Sequence, residues 1–101
     1  MPPVTFSPKS RQDLLDIGDY IAKDSRGHAR GFVAKLMRQC ERIGLAPMAY
    51  VGREDIAPGL RMATLERYVI FFRILNDVVR IERVLHSARN LPVVLIAESG
   101  N

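Results

Sequence analysis

Apolar side chains recur along this chain with two periods, the first helical and the second alternating. Leu14, Ile17, Tyr20 and Ile21 stand three and four residues apart, with Asp13, Asp16, Asp19 and Lys23 on the remaining faces, which predicts an amphipathic helix. Its start is marked by Ser7 and Pro8: the serine hydroxyl can accept from a first-turn N–H, and proline at the first helical position gives up no needed hydrogen bond. Ahead of it, Val4 to Phe6 reads as a short strand. Ser25 offers a second cap, after which Phe32, Val33, Leu36, Met37, Cys40 and Ile43 form a second stripe ended by Gly44. Two antiparallel helices are expected.

From Leu45 to Gly59 the period lapses among two prolines and two glycines, which predicts a long loop. Beyond it, "LRMATLER", "YVIFFRIL" and "VVRIERVLH" are rich in β-branched and aromatic residues, and Asn76-Asp77 between the last two reads as a two-residue hairpin turn. That turn pairs Leu75 with Val78, Arg73 with Arg80, Phe71 with Glu82, Val69 with Val84 and Arg67 with His86. One sheet face then carries Arg67, Arg73, Arg80, Glu82 and His86 interleaved with Val69, Phe71 and Val84, open to solvent. The other carries Tyr68, Ile70, Phe72, Ile74, Val79, Ile81 and Leu85, a core against the helices with Arg83 its one intruder. The expected class is α+β: a short N-terminal strand and an antiparallel helical hairpin packed on a three- to four-stranded antiparallel sheet. The tail, with four adjacent apolar residues from Val93 to Ile96, is expected as a short helix or an exposed arm.

A length of 101 residues, 48% hydrophobic and 26% charged, supports one core and one domain over residues 1–101. The net charge is +4, and Lys9, Lys23 and Lys35 are the only lysines beside a larger set of arginines. Arginine forks suit carboxylates and phosphates, although a G+C-rich genome would produce the same bias. Arg73 directly opposite Arg80 is unfavourable unless a partner brings anions or Glu82, diagonal to Arg73, compensates. Val, Phe and Arg mixed on an open face read as a protein-binding surface.

Cys40 stands alone, which suits a reducing compartment, and neither a signal-peptide layout nor a membrane-length apolar run is present; a cytoplasmic protein without membrane contact is expected. His28 and His86 lie on different elements and no glycine cluster cradles phosphate, so neither a metal site nor a cofactor is expected. His86 could serve as a general base or simply as a structural strand-end residue.

The stretches "SPKSRQDLLDIGDYIA", "VGREDIAPGLR", "ERYVIFFRI" and "VRIERVLHSARNLP" together resemble the ParE branch of the ParE/RelE toxins of bacterial type II toxin–antitoxin modules, over nearly the whole chain and in order. The resemblance implies a helical hairpin on a sheet with an open face, held inactive in a hetero-oligomer by a ParD-like antitoxin with an acidic C-terminal region. It also implies growth inhibition and plasmid stabilisation through poisoning of DNA gyrase, with DNA contacted only through the antitoxin. RelE-type relatives instead cut messenger RNA on the ribosome, using basic side chains and a late Tyr or a His. Here the last tyrosine is Tyr68, so a nuclease would have to use His86 with Arg61, Arg83 and Arg89; inhibition by binding, with no catalytic residue, is the expectation. The antitoxin surface is expected at Arg67, Val69, Phe71, Arg73, Arg80 and Glu82, and the target surface at Arg53, Arg61, Arg83, His86 and Arg89.

Overall fold

A computed structural model describes residues 3–89; the expected arm from Val93 to Ile96 lies outside the described residues. The elements are β1 (Val4–Phe6), α1 (Pro8–Ala22), α2 (Arg26–Leu45), a 3-10 turn (Pro47–Ala49), β2 (Val51–Gly52), β3 (Arg61–Leu65), β4 (Tyr68–Leu75) and β5 (Val78–His86). Both helices begin at the predicted caps, with Ser7 Oγ accepting from the Ser10 N–H at 3.0 Å and Ser25 Oγ from the His28 N–H at 3.1 Å. Their stripes meet the sheet in a core that joins Ile17, Leu36, Cys40 and Ile43 to Ile70, Phe72, Val79 and Ile81.

Burial pushes the Cys40 thiol up to about 12, with Glu41 adding to the shift. A thiol-alkylating reagent at neutral pH is therefore expected to modify Cys40 only as fast as the chain opens, and labelling at the rate of a free thiol would contradict this packing. No helix among the described residues is long and apolar enough to cross a membrane.

The sheet has five strands in the order β1-β5-β4-β3-β2 and is mixed, which corrects the expectation of a three- to four-stranded antiparallel one. β1 runs parallel to β5, with Val4 opposite Val79 and Phe6 opposite Ile81. β2, two residues long, pairs antiparallel with β3 inside the stretch expected to be irregular. A strand that short shows no period, and pairing with the far end of the chain leaves no local mark on the sequence.

The β4–β5 hairpin turns as predicted, with Asn76 and Asp77 at φ 50° and 63°, the left-handed conformation its two central residues need. The register holds from Leu75–Val78 to Phe72–Ile81 and then slips at a β-bulge. Beyond it Phe71 faces Arg83, Val69 faces Leu85 and Tyr68 faces His86, so the expected pairs Phe71–Glu82, Val69–Val84 and Arg67–His86 are corrected. One extra residue in a strand exchanges the faces of everything after it. Val84 consequently joins the helix-side core, and Leu85 turns to the opposite face.

That opposite face is not open. Leu60, Val69, Phe71 and Leu85 form a second core covered by Ile56, Ala57 and Met62. The loop is tied down where the Arg53 N–H donates to the Leu60 carbonyl at 2.7 Å and Arg73 Nε donates to the Pro58 carbonyl at 3.1 Å. Val69 and Phe71, expected on the solvent side, are 5% and 0% exposed.

Candidate functional site

Glu82 resolves the arginine pair. Arg73 and Arg80 stand opposite each other as read, and Glu82 binds both: its Oε2 accepts from Arg73 Nη1 at 2.6 Å and its Oε1 lies 2.8 Å from Arg80 Nε. The carboxylate that the cross-strand repulsion calls for comes from within the chain. Arg80 remains exposed, Arg73 and Glu82 are half-buried, and Arg67 lies in the β3–β4 turn.

Arg83 is a buried residue rather than part of a recognition surface, with 8% exposure. Its Nε and Nη2 both donate to the Asp13 carboxylate at 2.8 Å, and the Val84 N–H donates to the same carboxylate at 2.9 Å. The cause lies in the length of β1. It ends opposite Ile81, so α1 and its cap take over the next part of the β5 edge: the Ser7 N–H donates to the Ile81 carbonyl, Ser7 Oγ to the Glu82 carbonyl at 2.7 Å, and Asp13 receives Val84. Asp13, assigned from sequence to a polar helix face, is itself 8% exposed.

Arg53 and Arg61 are tied to their own loop. Arg53 forks Asp55 through Nε and Nη2, both at 2.9 Å, and this hydrogen bonding raises the Arg53 pKa and lowers that of Asp55. Arg61 Nη1 donates to the Tyr50 carbonyl at 2.7 Å. Arg61 starts β3 and Arg67 follows its end, so these two lie at opposite ends of a strand roughly 13 Å long at 3.3 Å per residue.

The remaining expected residues, Arg67, His86 and Arg89, line a groove on the helix side together with Tyr20, Phe32 and Tyr68. Tyr68 packs between two rings, with centroids 5.3 Å from Phe32 and 5.2 Å from His86. Burial raises the Tyr68 pKa, with the neighbouring Tyr20 charge adding to it. His86 Nδ1 accepts from the Ala88 N–H at 3.1 Å, which places the proton of the neutral ring on Nε2. The Ser87 N–H donates to the Arg67 carbonyl at 2.7 Å and ties the end of β5 to the β3–β4 turn.

His28, on another element as the sequence indicates, lines the same groove as His86. Among the described residues no group of three His, Cys, Asp or Glu side chains could hold a metal ion. Of the five residues expected to meet a target, only His86 and Arg89 line this groove. Asp13, Tyr20 and Tyr68 were missing from the expected site. The one legible hint was Arg83 on an apolar face, which demands a buried carboxylate; its partner is 70 residues away.

The chain matches the family model for the ParE toxin of the type II toxin–antitoxin system parDE over residues 4–91. Among solved structures it is similar to one described as the chromosomal ParDE TA system from P. aeruginosa, at 25% identity and a TM-score of 0.74, covering 85% of this chain and 96% of that one. No curated protein matches it. The helical hairpin laid over a bulged sheet and the family match over nearly all of the described residues agree, and this chain belongs to the ParE toxins of type II toxin–antitoxin systems.

Proposed function

We propose that this toxin arrests growth by binding DNA gyrase and blocking replication, and that a ParD-like antitoxin neutralises it in a hetero-oligomer in the cytoplasm. The family match over residues 4–91 carries the toxin assignment. Inhibition by binding, in place of RNA cleavage, is supported by the state of the arginines a nuclease would use: Arg83 is buried against Asp13 and Arg61 is spent on the Tyr50 carbonyl. General acid–base cleavage needs cations that can reach the phosphate and a proton carrier beside the 2′-oxygen. One observation favours the second reading, a ribosome-dependent mRNA endonuclease: the hydrogen bond to Nδ1 orients His86 with Nε2 as its proton-bearing atom.

Purified toxin is expected to inhibit gyrase supercoiling and to leave ribosome-bound mRNA intact. Codon-positioned cleavage that disappears in His86→Ala, with supercoiling unaffected, would move the assignment to the nuclease. Antitoxin contact at the surface around Arg80 predicts weaker association and a lower salt dependence for Arg80→Gln, since rim charges act mostly on association. Unchanged affinity and salt dependence would remove Arg80 from that interface.

A further inference from the structure

Helix α2 holds a feature that the reading above leaves unused. Arg26, Arg30, Arg38 and Arg42 recur at steps of four, with Ala34 in the one place between them. Each step of four advances roughly 40° around a helix, so the arginines fall within an arc of roughly 160° along a row roughly 24 Å long. All four are exposed, and Ala29, Leu36, Cys40 and Ile43 are buried on the opposite side. The helix carries these arginines and Lys35 against the one carboxylate of Glu41, so the chain's net charge of +4 resides in this element. Lys35 is paired with Glu66. Among the described residues none of the four arginines pairs with a carboxylate, and Arg42 meets only the neutral amide of Gln39 at 3.5 Å.

Nothing inside the chain calls for this arrangement. Arg26 with Arg30, and Arg38 with Arg42, are like charges at four-residue spacing, which weakens a helix. Arg26 also stands in the first turn, where the helix dipole disfavours a cation. Between the arginines the face is bare: Gly27, Gly31 and Ala34 carry no side chain beyond Cβ, and a Cβ built at Gly31 would meet nothing within 4 Å. The packing of this chain does not require glycine there, and glycine within a helix costs stability relative to alanine. The helix gives up stability to hold a row of cations around a smooth strip that a partner can approach closely.

The chemistry of the face selects that partner. A single strand binds by stacking its bases on rings, and the aromatic ring of this helix, Phe32, packs on the core. A lipid surface takes up the apolar face of a helix, and that of α2 is spent on the core through Leu36, Cys40 and Ile43. An acidic peptide would find charge here without an apolar seat. A duplex needs neither rings nor a pocket, because its backbone presents regular charge, one per about 1.7 Å of axis. We infer that the outer face of α2 binds the phosphate backbone of double-stranded DNA without regard to base sequence, through Arg26, Arg30, Arg38 and Arg42, with the duplex drawn close over Gly31 and Ala34. This departs from the expectation that DNA is met only through the antitoxin. The contact itself stands on the arginine row; the choice of DNA over an RNA duplex rests on the gyrase reading, which puts the toxin beside the DNA on which gyrase acts.

The test is fluorescence anisotropy of the full chain, free of antitoxin, with short labelled duplexes of two unrelated sequences over a series of salt concentrations. Both duplexes should bind equally, with affinity falling on a log–log slope of about −3 to −4, as four phosphate contacts require. Arg30→Gln/Arg38→Gln, altered only at exposed positions, should bind about tenfold or more weakly, with a slope flatter by about 2. Arg67→Gln/Arg80→Gln loses the same charge elsewhere on the surface and should bind within about twofold of wild type. Gly31→Leu should raise the melting temperature and bind more weakly, because the added side chain stands where the backbone would lie.

Absence of binding at low salt, an affinity that salt does not change, or unchanged affinity in Arg30→Gln/Arg38→Gln or in Gly31→Leu would overturn the proposal. An equal loss in Arg67→Gln/Arg80→Gln would reduce the contact to net charge and overturn it too. So would a preference for a single strand, an RNA duplex, a polyglutamate peptide or phosphatidylserine vesicles over the DNA duplex. The gyrase reading falls on a different measurement, supercoiling that proceeds in the presence of toxin; the anisotropy is read without gyrase, so the two failures are distinguishable.

Discussion

Asp13→Ala is expected to destabilise the fold by about 3–5 kcal/mol, the usual loss when one partner of a buried ion pair is removed. The substitution strands the Arg83 guanidinium, 8% exposed, and at the same time takes the acceptor from the Val84 N–H on an edge that β1 no longer covers. A small domain has about 5–15 kcal/mol in total, so the loss would remove most of the stability of a domain near the lower end of that range. Urea denaturation followed by circular dichroism measures the effect, and a loss below about 1 kcal/mol would place the pair in solvent, where ion pairs contribute little. Replacing both charges with apolar residues should recover part of the loss, because no buried charge remains. The recovery should stay incomplete, since the Val84 N–H still lacks its acceptor. The outcome bears on function: loss of toxicity in an Arg83 variant must be checked against its folded fraction before Arg83 is assigned any contact with gyrase.

The second large effect belongs to Phe71. Its ring is fully buried between β4 and the loop that carries Ile56 and Ala57, and Phe71→Ala should cost about 3–5 kcal/mol through lost burial and the cavity left behind. The loop should respond first, because its Ile56 and Ala57 pack on the small core that Phe71 forms with Leu60, Val69 and Leu85. Faster proteolysis in residues 53–60, accompanied by a lower denaturation midpoint, is the expected pair of observations. A variant with wild-type stability and weakened antitoxin binding would instead return Phe71 to an open interface.

Much of this fold was legible along the chain because its signals are local. The serine caps, the helical stripes and the Asn76-Asp77 turn depend on neighbours a few residues apart, and each element they predict is present. The family resemblance was equally legible, since it rests on motifs in order. The candidate site was harder. His86 and Arg89 were identified and do share a groove, but Tyr20 and Tyr68 looked like ordinary members of apolar stripes.

What the sequence by itself determined is β1, the two helices, β3 to β5 and their order, the capped starts of both helices and the register of the hairpin from its turn to Phe72 and Ile81. Only the tertiary structure decided the rest: the parallel pairing of β1, the bulge at Glu82, the covering of Phe71 and the burial of Arg83 against Asp13. The physical reason is common to all four. Alternation and helical period report which side of an element a residue occupies, but a single inserted residue reverses that alternation, and the partner that makes a buried charge tolerable can come from anywhere in the chain.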